Sequence, residues 1–184
     1  HTGRVPNLVN DGFRGIIVAT HATRSLCSIM LLDSAMIQER DAQYYNKRNP
    51  KDKKEPLYTS KDVHETMKLF TGCPYDKWIN IRDNVQVQYR DAGHILGSAC
   101  VEVVATEDGH SRKFLFSGEL GQWIRPLMND PATFDAADYV GMESTYGDRE
   151  HKDAGDIGEQ MAEIINRTIE RGGNVVIPTF AVER

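Results

Sequence analysis

A layered α/β architecture is predicted for this chain by three observations. Apolar runs of strand length alternate with stretches of helical spacing. The first half is rich in strands and carries two helices. The end reads as strand, helix, strand. The 184 residues suffice for one ordinary domain, or one and a fraction. With 40% hydrophobic and 27% charged residues, the chain can bury a core as a globular protein does.

Gly15-Ile-Ile-Val-Ala19 is apolar and β-branched, so it reads as a buried strand. Thr20 or Thr23 can cap a following helix that carries Leu26, Ile29, Met30, Ala35 and Ile37 at helical spacing. That helix fades at Tyr44-Tyr45 into the basic run Lys47-Arg48-Asn49-Pro50-Lys51-Asp52-Lys53-Lys54. The run reads first as a solvated loop, with phosphate contact as the alternative. Ser60 opens a second helix with Val63, Met67 and Phe70 on one face and Gly72 as its stop.

Three strands follow, Val85 to Tyr89, Ala99 to Ala105 and Lys113 to Ser117, with Glu107-Asp108-Gly109 turning the second into the third. Val101 and Val103 face one way and Glu102 and Val104 the other, as in a half-covered sheet. Pro131 and Asp135 mark a loop, and Tyr139 to Met142 is a further strand. Asp156 to Arg171 is an amphipathic helix stopped by Gly172-Gly173, and Asn174 to Pro178 a last buried strand. A composition break between Tyr146 and Asp156 suggests a domain boundary. No repeats or low-complexity segments occur.

Net charge is −5 and the pI about 5.7, which argues against a generic basic nucleic-acid binder while leaving room for a local positive groove. No apolar run approaches membrane-spanning length. The three cysteines, Cys27, Cys73 and Cys100, lack metal-type spacing. Their odd, sparse count suits structural residues in a reducing cytoplasm. No secretory signal is visible, and the chain starts at His1 rather than Met, so a fragment is expected.

Chemistry concentrates at strand ends. His94 lies in Gly-His-Ile-Leu-Gly-Ser, where small neighbours let backbone and metal approach closely. Glu119 lies in Ser-Gly-Glu-Leu-Gly directly after an apolar strand. A carboxylate there is awkward to bury unless paired or metal-bound. Glu143 ends a third strand. Taken singly, these are a hydrogen-bonded structural histidine, a loop carboxylate and a turn acid. Taken together, three strand-end polar groups suggest a hydrolytic metal site. His21, His64 and His110 lie off these motifs.

Seven segments, in order, resemble the β-CASP branch of the metallo-β-lactamase superfamily, a group of RNA-processing and DNA-repair nucleases. They are Asp11-Gly-Phe-Arg-Gly-Ile-Ile-Val-Ala-Thr-His-Ala-Thr23, Leu32-Asp-Ser-Ala-Met-Ile-Gln-Glu39, Glu55-Pro-Leu-Tyr58, Asp91-Ala-Gly-His-Ile-Leu-Gly-Ser98, Phe116-Ser-Gly-Glu-Leu-Gly121, Glu143-Ser-Thr-Tyr-Gly-Asp-Arg149 and Pro178-Thr-Phe-Ala-Val182. The likeness is nearest to bacterial and archaeal RNA-cleaving members.

The resemblance implies a partial metallo-β-lactamase αββα sandwich over 1–147, lacking its N-terminal part. The first strand–helix–strand of a truncated β-CASP domain would occupy 148–184. It implies a two-zinc hydrolase acting on RNA, endo- or exonucleolytic. His94 and Glu119 would be zinc ligands, and His1 a further one. Glu143 would be the acid that orients a histidine near the leaving group. Arg149 would meet phosphate or pair with Glu143, and His151 would contact substrate. Glu119 stands where the family carries a bridging aspartate, and the extra methylene moves the carboxylate by roughly 1.5 Å. That departure leaves a second reading, an inactive β-CASP-type RNA-binding or scaffold protein. A small-molecule metallo-hydrolase is a third, disfavoured by the Glu143 segment and the tail.

With a minority of the ligands, this segment alone is expected to be inactive, with partial or absent zinc. RNA is the expected partner and a membrane is not. Unpaired sheet edges would favour association, a homodimer included. A cytoplasmic location is expected.

Overall fold

The computed structural model describes residues 2–125, 127–149 and 156–179. It divides into two compact units, His1–Met142 and Glu143–Arg184.

In the first unit, a one-turn 3-10 helix over Thr2–Arg4 leads into α1, Val5–Asn10, which has a proline in its first turn. Pro6 is favourable there, because the first turn needs no N–H from it. Strand β1, Ile17–Thr20, runs directly into α2, His21–Arg48. The Thr20 hydroxyl accepts from Thr23 N and so caps the 28-residue helix. Helix α3, Ser60–Met67, opens with a reciprocal capping box. Thr59 accepts from Asp62 N, and Asp62 accepts from Thr59 N at 2.7 Å. Hydrogen bonds from the Thr59 backbone and hydroxyl hold the Asp62 carboxyl below the usual range.

The expected extension of this helix through Phe70 to Gly72 does not form. Phe70–Cys73 is β2, which pairs in parallel with β1, Ile17 opposite Phe70 and Thr20 opposite Cys73. Phe70 and Cys73 are buried there. Pairing with β1 overrides the helical spacing of Val63, Met67 and Phe70. The core of this region is Ala19, Cys27, Leu31, Ala35, Tyr58, Val63 and Phe70, lying between α2, α3 and the β1–β2 pair.

The second sheet of the unit has order β3-β4-β5-β6-β7. Its strands are β3 Ile79–Arg82, β4 Val85–Asp91, β5 Ala99–Glu107, β6 His110–Phe116 and β7 Tyr139–Gly141. The first four are antiparallel and β7 joins β6 in parallel. Asp108 and Gly109, both at positive φ, make a two-residue hairpin with Glu107 opposite His110. Strand β3, Ile79-Asn80-Ile81-Arg82, alternates apolar and polar residues, but over only two periods, and it forms as the hairpin partner of β4.

The covered face of this sheet carries Cys100 and Glu102, each 1% exposed. Glu102 is neutralised by Lys113 and by Arg90, whose Nη1 is 3.6 Å away. Arg90 Nε in turn lies 2.6 Å from Asp76 Oδ1, close enough for an ion pair but without hydrogen-bond alignment. Burying a lone carboxylate would be costly, so two cations converge on it. All three cysteines are free and buried, and burial pushes each thiol up from its ordinary value.

In the second unit, α4 spans Ile157–Glu170 and is capped by Asp156, whose Oδ1 accepts from Glu159 N at 3.0 Å. Gly172, at φ +66°, ends it. The expected strand–helix–strand is corrected here. Its first strand belongs to the first unit, as β7, and residues 174–179 form no strand, with Val176 85% exposed. An apolar segment becomes a strand only beside a hydrogen-bonding neighbour, and β-branched composition alone does not supply one.

Candidate metal centre

The loop of residues 92–98 joins β4 to β5, and His94 sits in it. Glu119 lies three residues beyond β6, in the adjacent turn. Strands β4 and β6 flank β5, so both loops leave the same end of the sheet. There the His94 Nε2 and Glu119 Oε2 atoms are 3.1 Å apart, with side-chain exposures of 35% and 57%. Two groups distant in sequence thus meet at a solvent-accessible position.

Both loops are held by local bonds. Asp91 Oδ1 accepts from Gly93 N at 2.8 Å, and Asp91 Oδ2 accepts from Asn129 Nδ2 at 3.0 Å. The Ser98 hydroxyl accepts from the backbone N–H of His94 at 3.1 Å and of Ile95 at 3.2 Å. Gly121 N donates to Ala92 O at 2.8 Å, tying the Glu119 turn to the His94 loop. The far end of the loop is clamped by the end of β1, the first turn of α2 and the segment after β2. The hydroxyls of Thr20 and Thr23 both donate to Gly97 O at 2.8 Å, and Tyr75 donates to Ser98 O at 2.8 Å. Gly97 is at φ +89°, and a Cβ there would lie 2.7 Å from Thr23 N. Only glycine permits this approach of the loop to the start of α2.

Thr20 and Thr23 are recognisable in sequence as helix caps, but their second task, gripping Gly97, is a tertiary contact with no local signature. The Asp91-x-Gly93 spacing does carry a signal, that of an Asx turn.

Burial, with Asp91 nearby, pushes the Tyr75 hydroxyl up to about 12. A folded-state value above the unfolded one, about 10, means that the folded protein holds the proton more tightly. The resulting stability is complete below pH 10 and is lost as pH rises toward 12. Unfolding in urea across that window should show a falling midpoint, and Tyr75→Phe should make the fall shallower. An unchanged slope in the variant would sink this assignment.

His1 and His151 lie outside the described residues. Glu143 and Arg149 belong to the second unit. The Glu143 carboxylate accepts from Thr145 N at 3.4 Å. Arg149 Nε is 3.6 Å from Asp148 Oδ1, with its guanidinium over the Tyr146 ring. Among the described residues, no three histidine, cysteine or acidic side chains cluster as a metal site would.

Tetrahedral zinc with ligand distances near 2.1 Å sets its donor atoms about 3.4 Å apart. The observed N···O spacing is close to one edge of that polyhedron, so the pair fits two corners of a centre whose other donors must come from elsewhere. It is also an ordinary hydrogen-bond length.

No family model matches the chain. Curated relatives do. Over its whole length the chain is 34% identical to ribonuclease TTHA0252 of Thermus thermophilus, covering 38% of that protein. It is 31% identical to transcription termination factor FttA of Pyrococcus horikoshii and 30% to FttA of Pyrococcus abyssi, covering 27% of each. Over its full length the chain is homologous to members of the β-CASP branch of the metallo-β-lactamase superfamily. It spans roughly a quarter to two fifths of the length of these β-CASP relatives. Its mixed α/β architecture agrees with a partial metallo-β-lactamase fold. Among the described residues no helix is long and apolar enough to cross a membrane.

Proposed function

We propose that the complete protein is a zinc-dependent hydrolase that cleaves RNA phosphodiester bonds in the cytoplasm. The observation that carries this reading is the 3.1 Å approach of His94 Nε2 to Glu119 Oε2 at the end of the sheet. Kinship with a protein named a ribonuclease supplies the substrate class.

His94 and Glu119 would hold the metal, with His1 as a further ligand. When bound, zinc supplies a nucleophilic water at neutral pH and neutralises phosphoryl charge. The chain's own residues provide placement. Asp91 and Ser98 fix the backbone that carries His94, while Thr20, Thr23 and Tyr75 fix the far end of its loop. Glu143 would orient a proton-carrying histidine, with Arg149 and His151 on the substrate side. The segment alone, with a minority of the ligands, is inactive. Rigid placement matters because displacements of about 1 Å at a reacting centre cost on the order of a hundredfold in rate.

The second reading, a scaffold that binds RNA without cutting it, draws on glutamate at the bridging position. Glu119→Asp discriminates the two with opposite signs. The longer side chain already reaches His94, and shortening it withdraws the carboxylate by roughly 1.5 Å, far outside the ~0.2 Å tolerance of a metal–oxygen distance. An active enzyme should therefore lose zinc and about ten- to a hundredfold of its cleavage rate in the whole protein. If the natural protein instead holds no zinc, and the aspartate variant gains both metal and cleavage of labelled RNA, the hydrolase reading fails.

A further inference from the structure

Helix α2 connects two places of different character. Its first turn carries Thr20 and Thr23, which grip the His94 loop. Its last turn runs into the basic segment Lys47-Arg48-Asn49-Pro50-Lys51-Asp52-Lys53-Lys54. From residue 24 to residue 48 the helix advances about 36 Å at 1.5 Å per residue. The basic segment therefore stands well away from the metal centre on the same rigid rod.

That segment is folded back onto the helix. Asn46 Nδ2 donates to Lys54 O at 2.8 Å, and Asn46 Oδ1 accepts from Lys54 N at 2.7 Å. Asn49 caps Tyr45 O, and the Tyr45 hydroxyl donates to Asp52 at 2.7 Å. The Arg48 guanidinium lies 4.2 Å over the Tyr44 ring, and Lys54 Nζ lies 4.1 Å over Tyr45. Lys47, Arg48, Lys51, Lys53 and Lys54 are all exposed. The one carboxylate inside the segment, Asp52, is turned toward the Tyr45 hydroxyl. Lys47 and Arg48 in the last turn complement the helix C-terminus; three more lysines on the doubly clasped loop beyond it exceed that need. Beside them lies a cleft of about 390 Å³, walled by Ala42, Tyr45, Pro56 and Leu57, with Lys54 and the two acidic residues Asp41 and Glu55 at its edge. It is large enough for a nucleobase beside an aromatic ring.

We propose that this corner is an accessory subsite for single-stranded RNA, the lysines taking phosphates and the Tyr45 cleft taking one base. The proposal rests on the hydrolase reading for its choice of RNA, but its test is a binding measurement. It explains how a chain of net charge −5 carries a concentrated cationic spot remote from its metal ligands. At about 3.4 Å per stacked nucleotide, roughly ten nucleotides are needed to join the subsite to the metal centre.

The test uses the whole protein and fluorescein-labelled oligouridylates of six and twenty nucleotides, read by anisotropy between 50 and 200 mM salt. A variant carrying Lys51→Ala, Lys53→Ala and Lys54→Ala should bind the twenty-mer at least tenfold more weakly at 50 mM. The slope of log affinity against log salt should shrink by about 2, near 0.7 per lost cation on a single strand. The six-mer, unable to occupy both places at once, should lose less affinity than the twenty-mer. Asn46→Ala keeps every charge but opens the clasp, and should weaken the twenty-mer by about threefold. Tyr45→Ala should do the same through the cleft.

Three outcomes would overturn the proposal. The first is a salt slope of the triple variant equal to that of the parent. The second is an identical loss for both lengths. The third is dextran sulfate of matched charge competing as well as oligouridylate, which would mark a polyanion patch without a base site. An enzyme that binds the twenty-mer in this manner yet cuts nothing would refute the hydrolase reading and leave the subsite standing.

Discussion

His94→Ala should lower kcat/KM for RNA cleavage by the whole protein by at least about a thousandfold, a loss of roughly 4 kcal/mol of transition-state stabilisation. The expectation follows from the geometry of the pair. Nε2 of His94 is the one imidazole nitrogen the described residues bring to the Glu119 carboxylate, at 3.1 Å. Alanine removes a neutral nitrogen donor for which water in the same place is a weak replacement. Zinc content, measured on protein dialysed at neutral pH, should fall in parallel. RNA affinity should fall far less, because phosphate contacts by lysines and arginines dominate it. His64→Ala makes the comparison sharp. His64 bonds its own helix, with Nδ1 2.7 Å from Ser60 O, and has no part in the site. If both variants cut RNA at the parental rate, the metal centre is not where we place it.

The legibility of this site in the sequence was uneven, for physical reasons. Strands β4, β5 and β6 announce themselves by alternation and by the Asp108-Gly109 turn, and their succession already puts the loops at 92–98 and 117–121 on one end of a sheet. The pairing of His94 with Glu119 was therefore readable from local pattern plus antiparallel register. Residues 70–73 misled because three apolar residues at helical spacing fit a helix face, and the pull of β1 is a long-range term. Residues 174–179 misled in the opposite sense, since an apolar β-branched run states a preference without naming a partner. The grip of Thr20, Thr23 and Tyr75 on Gly97 and Ser98 depends on segments 23 to 77 residues apart meeting, which no window of sequence contains.

Gly121→Ala should cost about 3 kcal/mol of stability and more than a hundredfold in cleavage, although the residue carries no reactive group. Gly121 N donates to Ala92 O at 2.8 Å, so the two loops lie backbone against backbone. A Cβ at position 121 would overlap the Gly93 carbonyl and sit 2.7 Å from His94 N. Neither obstacle is a side chain that could swing away, so relief requires the loops to part by more than 1 Å. That breaks the Gly121–Ala92 bond, at about 1 kcal/mol, and adds the strain of an overpacked contact, typically 1–3 kcal/mol. The same parting separates Glu119 from His94, and misplacement on that scale is what catalysis tolerates least. Gly3→Ala provides the contrast, because a Cβ there meets nothing within 4 Å. It should stay within about 0.5 kcal/mol of the parent. Urea unfolding of both variants beside their zinc content and cleavage rates tests the point. A Gly121→Ala protein as stable and as active as Gly3→Ala would mean that the two loops do not meet as described, and the paired site would lose its physical basis.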